Sequence, residues 1–300
     1  MKELRGTGVA LVTPFTGEGQ IDVPALTRLV EHCVSGGVDY LVVLGTTAEN
    51  VTLGNAEKKL VTDTVVKVNA GRLPVVLGLG GNNTRALCEA LLQLDPGPFT
   101  AILSVSPYYN RPTQEGIYRH FKEIAAVSPL PIVLYNVPGR TGSNMEVETT
   151  LRLARELPNV VAIKEASGDM AQTLRLIAQR PPGFLVLSGE DMLALPTVTA
   201  GGDGVISVLG QAFPSRFSEM IRLGANGGTS EAYARHYELQ SAMELIFQEG
   251  NPAGIKALLE QLGICRAHVR LPLVEASESL KKKLLACNQA LTPVALNKSF

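Results

Sequence analysis

The chain has 300 residues, 45% of them hydrophobic, and a formal net charge of −1, enough apolar content for a large core in one big domain or two of ordinary size. No basic excess points to nucleic acid and no block of like charge suggests a solvating tail. No apolar run is long enough to span a bilayer, so no membrane role is expected and a small-molecule partner is the default.

Short apolar, β-rich runs recur along the chain: Gly8 to Val12, Tyr40 to Leu44, Val75 to Leu79, Ala101 to Val105, Ile132 to Tyr135, Val160 to Ile163, Phe184 to Leu187 and Gly204 to Val208. Between them lie helical periodicities, such as Leu26, Leu29, Val30, Cys33 and Val34, or Leu60, Val61, Thr64, Val65 and Val68. Strands spaced by roughly 20–35 residues and crossed by helices predict a parallel sheet, and eight such units fit a TIM (β/α)8 barrel. A doubly wound open sheet is the alternative. Against it, the first strand is followed by Thr13-Pro14-Phe15 in place of a GxGxxG turn. Gly78-Leu79-Gly80-Gly81-Asn82 has no lysine partner for phosphates and reads as a tight strand-to-helix turn. After Val208 the strand signal stops, and from about Ser230 the pattern is helical through Tyr233, Tyr237, Leu239, Met243, Leu245, Ile246, Ile255, Leu258, Leu259 and Leu262. The expected organisation is a barrel over 1–226 and a C-terminal helical domain over 227–300, joined near Gly224 to Thr229.

Cys33, Cys88, Cys265 and Cys287 are far apart and form no CxxC pair, which fits reduced thiols better than a disulfide frame or a zinc site. The first residues pass into a strand-like segment with no signal-peptide pattern. Together these point to the cytoplasm. His32, His120, His236 and His268 form no HxH or HExxH pattern, so they are expected to be structural or exposed, and neither metal nor cofactor is expected.

In a barrel of this kind the residues just after each strand share one mouth. Val160-Val161-Ala162-Ile163 ends on Lys164, where a buried strand is expected to hand over to a loop. Such a lysine either snorkels into water or is desolvated; desolvation favours the neutral amine, which can attack a carbonyl and form a Schiff base. After the second strand, Gly45-Thr46-Thr47-Ala48-Glu49-Asn50 could receive a carboxylate on hydroxyls and backbone N–H groups, or be ordinary helix capping. The fourth strand leads to Ser106-Pro107-Tyr108-Tyr109-Asn110-Arg111-Pro112, whose tyrosines could equally be packing or interface residues. The fifth leads to Tyr135-Asn136-Val137-Pro138-Gly139-Arg140-Thr141-Gly142, a phenol at the mouth and an arginine suited to a second acidic substrate, or simply exposed. Phenols and a threonine beside a neutral lysine suit the proton transfers of class I aldolase chemistry.

These segments, with Ile163-Lys164-Glu165, resemble the dihydrodipicolinate synthase family, now called 4-hydroxy-tetrahydrodipicolinate synthases, within the N-acetylneuraminate lyase superfamily of pyruvate-dependent class I aldolases. The likeness begins at Gly8-Val9-Ala10-Leu11-Val12-Thr13-Pro14-Phe15, includes Ser188-Gly189 and Gly204-Val205-Ile206-Ser207, and reaches Asn251-Pro252 and Arg270-Leu271-Pro272. It implies a lyase that joins pyruvate to L-aspartate 4-semialdehyde in the diaminopimelate pathway of lysine biosynthesis. Lys164 would form the Schiff base, Tyr135 would be general acid and base, and Thr46 would link it to Tyr109 from a neighbouring subunit. Thr46 and Thr47 would hold the pyruvate carboxylate, Arg140 the carboxylate of the second substrate, and Gly189 and Ile206 would line the pyruvate pocket. The family also suggests a homotetramer, a dimer of dimers.

Two departures stand out. Where lysine-sensitive members often carry histidines and an acid, this chain has Asn50, Val51, Asn55, Lys58 and Ala86, so weak or absent feedback inhibition by lysine is expected. Gly254 stands where a second proline is usual, with a local change at the start of that helix expected and none in the chemistry. The alternatives are N-acetylneuraminate lyase or a 2-keto-3-deoxy sugar acid aldolase, which would favour hydroxyl partners over Arg140, and a non-catalytic barrel that binds a keto acid.

Overall fold

The structure, a computed structural model, describes residues 1–291. Eight parallel strands close in chain order into a barrel: β1 (Gly6–Ala10), β2 (Tyr40–Val43), β3 (Val75–Gly78), β4 (Ala101–Val105), β5 (Ile132–Asn136), β6 (Val160–Glu165), β7 (Leu185–Ser188) and β8 (Gly204–Ser207). This is the expected TIM barrel, with a helix after each strand and further helices at the C-terminal end. The strand limits differ from the expected ones for identifiable reasons. β1 begins at Gly6 because it closes the barrel against β8, Gly6 opposite Gly204, a long-range pairing without a local signal. β2 stops at Val43 because Leu44 turns into the left-handed region at φ 57°. β6 runs through Lys164 and Glu165, which pair with Tyr135 and Asn136 of β5, so Lys164 lies within the strand and not at its handover to a loop.

Alternation along the strands sorts their side chains. Val133 and Tyr135 of β5, Ala162 of β6, Leu185 and Leu187 of β7 and Ile206 of β8 fill the barrel interior. Ile132, Leu134, Ile163 and Val186 face outward and pack with Phe121, Leu151 and Leu176 from the helices. The interior is tight at its lower end. A Cβ at Gly8 would lie 2.1 Å from the Tyr40 ring, and the Tyr40 hydroxyl donates to the Val205 carbonyl at 3.2 Å.

Several barrel helices begin on a side-chain cap. Asp22, Asn83, Thr113 and Asp169 each accept a hydrogen bond from a backbone N–H of the first turn, a contribution of about 1 kcal/mol apiece. The eighth barrel helix is Pro214–Ala225, followed by a turn with Gly227 at φ 83°. The helices Thr229–Leu245, Ala253–Gln261 and Glu278–Leu291 come next. Leu239, Met243, Ile255 and Leu258 from these helices join one apolar cluster with Leu26, Leu29 and Phe217 of the barrel layer. Residues 292–300, the end of the expected 227–300 unit, lie outside the described residues. At Gly254 an added Cβ would lie 2.3 Å from the Ile246 carbonyl oxygen, so the turn before this helix is closely packed on the glycine.

A buried charge pair ties this tail to the barrel mouth. Lys256 is fully buried, its Nζ 2.5 Å from Glu49 Oε1, 2.8 Å from the His268 carbonyl and 4.2 Å from the centre of the Phe15 ring. The other carboxylate oxygen of Glu49 accepts the Arg270 backbone N–H at 2.9 Å. Loss of either partner would strand the other charge without water, at a cost of about 3–5 kcal/mol.

The histidines are not clustered, and among the described residues no group of three or more His, Cys, Asp or Glu side chains could hold a metal ion. His120 lies buried in the helix Gln114–Val127 with Nδ1 2.9 Å from Thr84 Oγ1, and burial pushes its pKa from 6.5 down to about 4. The unfolded chain therefore takes up this proton near pH 6.5 and the folded chain only near 4, so stability falls as the pH drops through that window, by at most on the order of 3 kcal/mol. Chemical denaturation across pH 4 to 7 should show this slope and a shallower one in His120→Gln; an unchanged slope in the variant would contradict it.

Candidate active site

Parallel pairing of β5 with β6 sets Tyr135 directly beside Lys164. Lys164 is 5% exposed, and its Nζ stands 4.5 Å from the centre of the Tyr135 ring. Gly189, just after β7, makes room for the stem: a Cβ there would lie 3.0 Å from Lys164 Cε and 2.5 Å from the Ala166 methyl. Its backbone N–H donates to the Glu165 carbonyl at 2.7 Å, which holds the β7 end against β6.

The next residue of each strand points the opposite way and builds a polar lock behind the pair. Glu165 is buried and accepts from Asn136 Nδ2 at 3.0 Å, Gln172 Nε2 at 2.9 Å and the Ser167 N–H at 2.8 Å. Asn136 also donates to Asn144 Oδ1 at 2.8 Å and accepts the Met145 N–H at 2.9 Å. With its donors and acceptors engaged, this network resists slippage between the strands that carry Lys164 and Tyr135.

Two acids after β7 feel the charge of Lys164. Glu190 has a raised pKa from burial and from neighbouring Asp191, while the charges of Lys164 and Arg140 pull it the other way. Asp191 is raised by burial, against hydrogen bonds from Ser207 and from the Leu209 and Val208 N–H groups that stabilise its anion. Asp191 thus ties the loop after β7 to the loop after β8.

The segment after β2 forms a short 3-10 turn, Thr46–Ala48, between two left-handed residues, Leu44 at φ 57° and Glu49 at φ 54°. Such conformations in non-glycine residues persist where surrounding contacts enforce them. Here Asn50 Nδ2 donates to the Leu44 carbonyl at 2.6 Å, Thr13 Oγ1 to the Ala48 carbonyl at 2.7 Å, and Asn251 Nδ2 to Thr47 Oγ1 at 2.9 Å.

A cavity of ≈ 260 Å³ opens at this end of the barrel, lined among others by Thr46, Gly80, Tyr108, Tyr135, Val137 and Arg140. Thr46, Tyr135 and Arg140 thus converge as expected from their positions after β2, in β5 and after β5. Lys164 does not line the cavity but meets its wall at the Tyr135 ring, Gly189 lies behind Lys164, Thr47 is buried in its turn, and Ile206 is buried in the interior face of β8. Tyr109 is not brought to this cavity. It is 90% exposed, at φ 68°, on the loop after β4. Sequence reasoning missed Glu190 and Asp191, although they follow Ser188-Gly189 at the same barrel end and that position could have flagged them. Asn144 and Gln172, which brace Glu165, carry no local signal.

A model of the dihydrodipicolinate synthetase family matches residues 3–291. The 4-hydroxy-tetrahydrodipicolinate synthase of Flavobacterium psychrophilum is 54% identical over 284 residues, 95% of this chain and 97% of the relative. The crystal structure of dihydrodipicolinate synthase from Thermotoga maritima superposes with a TM-score of 0.92 at 39% identity, over 95% of this chain and 98% of that one. A monomeric dihydrodipicolinate synthase variant superposes with a TM-score of 0.93 at 38% identity, over 96% and 97%. With the motif order, the closed barrel and matches across nearly the whole length in agreement, the chain belongs to the dihydrodipicolinate synthase family.

Proposed function

We propose that this chain joins pyruvate to L-aspartate 4-semialdehyde through an imine at Lys164. The family activity is that of a 4-hydroxy-tetrahydrodipicolinate synthase, a pyruvate-dependent class I aldolase of the lyase class that serves lysine biosynthesis through diaminopimelate. The observation that carries the reading is the Lys164 amine against the Tyr135 ring, at a barrel mouth where Thr46 and Arg140 share one cavity.

In this reading Lys164 Nζ adds to C2 of pyruvate, and loss of water leaves the imine. Removal of a methyl proton gives the enamine, whose carbon attacks the aldehyde carbon of the second substrate. The amine of that substrate then attacks the imine carbon, closes the ring and frees Lys164. Tyr135 carries protons in these steps as general acid and base, with Thr46 linking it to Tyr109 of the partner subunit. Thr46 and Thr47 hold the pyruvate carboxylate, Gly189 and Ile206 border the pyruvate, and Arg140 receives the carboxylate of the aldehyde substrate in a charge-assisted pair.

The exposure of Tyr109 outside its own cavity supports completion of the relay across an interface, hence a homotetramer built as a dimer of dimers. We assign the barrel to 1–226, the helical domain to 227–300 and the enzyme to the cytoplasm, on the cysteine usage and the residue patterns above. At the expected inhibitor position Val51 is 82% exposed, Lys58 carries positive charge and Ala86 is an exposed methyl, which supports weak or absent binding of lysine.

A coupled steady-state assay should show condensation with aspartate semialdehyde and no cleavage of N-acetylneuraminate. Arg140→Ala should raise KM for the semialdehyde roughly 10- to 100-fold, the loss of a charged hydrogen-bonded pair, with the KM for pyruvate little changed. L-lysine added to the same assay should leave the rate near its starting value. Cleavage of N-acetylneuraminate without condensation would contradict the substrate assignment, and half-inhibition by sub-millimolar lysine would contradict the insensitivity.

A further inference from the structure

Beyond the residues that would touch substrate, the helical tail reaches into the carboxylate turn through buried polar contacts. Asn251 is 8% exposed, and its Nδ2 donates to Thr47 Oγ1 at 2.9 Å across 204 positions of sequence. A threonine hydroxyl has one hydrogen to donate and two lone pairs to accept with. Because Asn251 fills a lone pair, the Thr47 hydrogen is directed elsewhere, and the hydroxyl is set up as a donor. A carboxylate offers only acceptors, so a donor is what the turn must present to it.

The same turn is held from below by the Glu49–Lys256 pair. Glu49 sits left-handed at φ 54° with its carboxylate 1% exposed, and two tail residues, Lys256 and Arg270, occupy its oxygens. Phe15 is packed under both cations, 4.2 Å from Lys256 Nζ and 4.4 Å from Arg270 Cζ to its ring centre. Arg270 also pairs with Glu57 and donates to the Thr52 carbonyl, at the far end of the same segment. The tail therefore grips the turn at Thr47, at Glu49 and at Thr52.

We propose that Asn251 is a positioning residue for pyruvate: it orients the Thr47 hydroxyl towards the pyruvate carboxylate, within a turn that the Glu49–Lys256 pair holds in shape. The proposal rests on the assignment of Thr47 to that carboxylate. It makes the helical tail part of substrate recognition, although no described residue of the tail lines the cavity described above.

The test is steady-state kinetics with both substrates on the full-length enzyme. Asn251→Ala should raise the KM for pyruvate about tenfold, while the KM for the semialdehyde at saturating pyruvate stays within about twofold. Asn251→Asp keeps the shape but turns the donor into an acceptor, so it should raise the pyruvate KM at least as far. Thr47→Val should raise it too, and Thr47→Val with Asn251→Ala should be no worse than Thr47→Val alone, because both remove one interaction. A pyruvate KM within about twofold of wild type in folded Asn251→Ala, or additive effects in the double variant, would overturn the proposal. Should the alanine variant not fold, the near-isosteric Asn251→Asp decides by the same criterion. An unchanged pyruvate KM in Thr47→Val would instead contradict the Thr47 assignment itself, which separates the two claims.

Discussion

The register between β5 and β6 is the constraint on which the site depends. It places Tyr135 opposite Lys164 and Asn136 opposite Glu165. Because strand side chains alternate between faces, a slip of β6 by a single residue would send Lys164 into the helix layer and draw Glu165 inside. The buried Asn136–Glu165–Gln172 network makes that slip costly, since each group would lose hydrogen bonds where no water replaces them. Gly189 adds a steric condition, because any side chain there would press on the lysine stem.

Around this register the barrel mouth is assembled from segments whose conformations are not self-sufficient. The turn after β2 has two left-handed non-glycine residues, each a local strain of order 1–3 kcal/mol. Hydrogen bonds from Thr13, Asn50 and Asn251 and the buried Glu49–Lys256 pair offset that strain. The loops after β7 and β8 are joined by Asp191. Polar groups buried in this way contribute little net stability when paired but cost several kcal/mol when broken, so they fix one arrangement of the mouth more than they strengthen the fold.

The βα alternation is legible in the sequence because strands buried on both faces must be continuous apolar runs, and helices that cover them must be amphipathic. Barrel closure is less so: the early start of β1 depends on Gly204, nearly two hundred residues away. Lys164, Tyr135, Thr46 and Arg140 are legible as neighbours because each lies at the same end of a strand, a relation that topology alone supplies. What escapes is the support. Gln172, Asn144, Asn251 and Lys256 act through contacts between distant helices and loops, and nothing in their local sequence marks a buried hydrogen bond. Tyr109 is legible as a residue of the loop after β4, but its 90% exposure there has no local sequence signal.

The central claim is that Lys164 is the amine that captures pyruvate. Among the described residues two lysines are buried, Lys164 beside Tyr135 and Lys256 against Glu49, so general burial does not separate them. Incubation with pyruvate and borohydride followed by peptide mass spectrometry does. A single reduced pyruvyl group on Lys164 is the predicted result, and an unmodified Lys164, or modification at Lys256 in its place, would contradict the account.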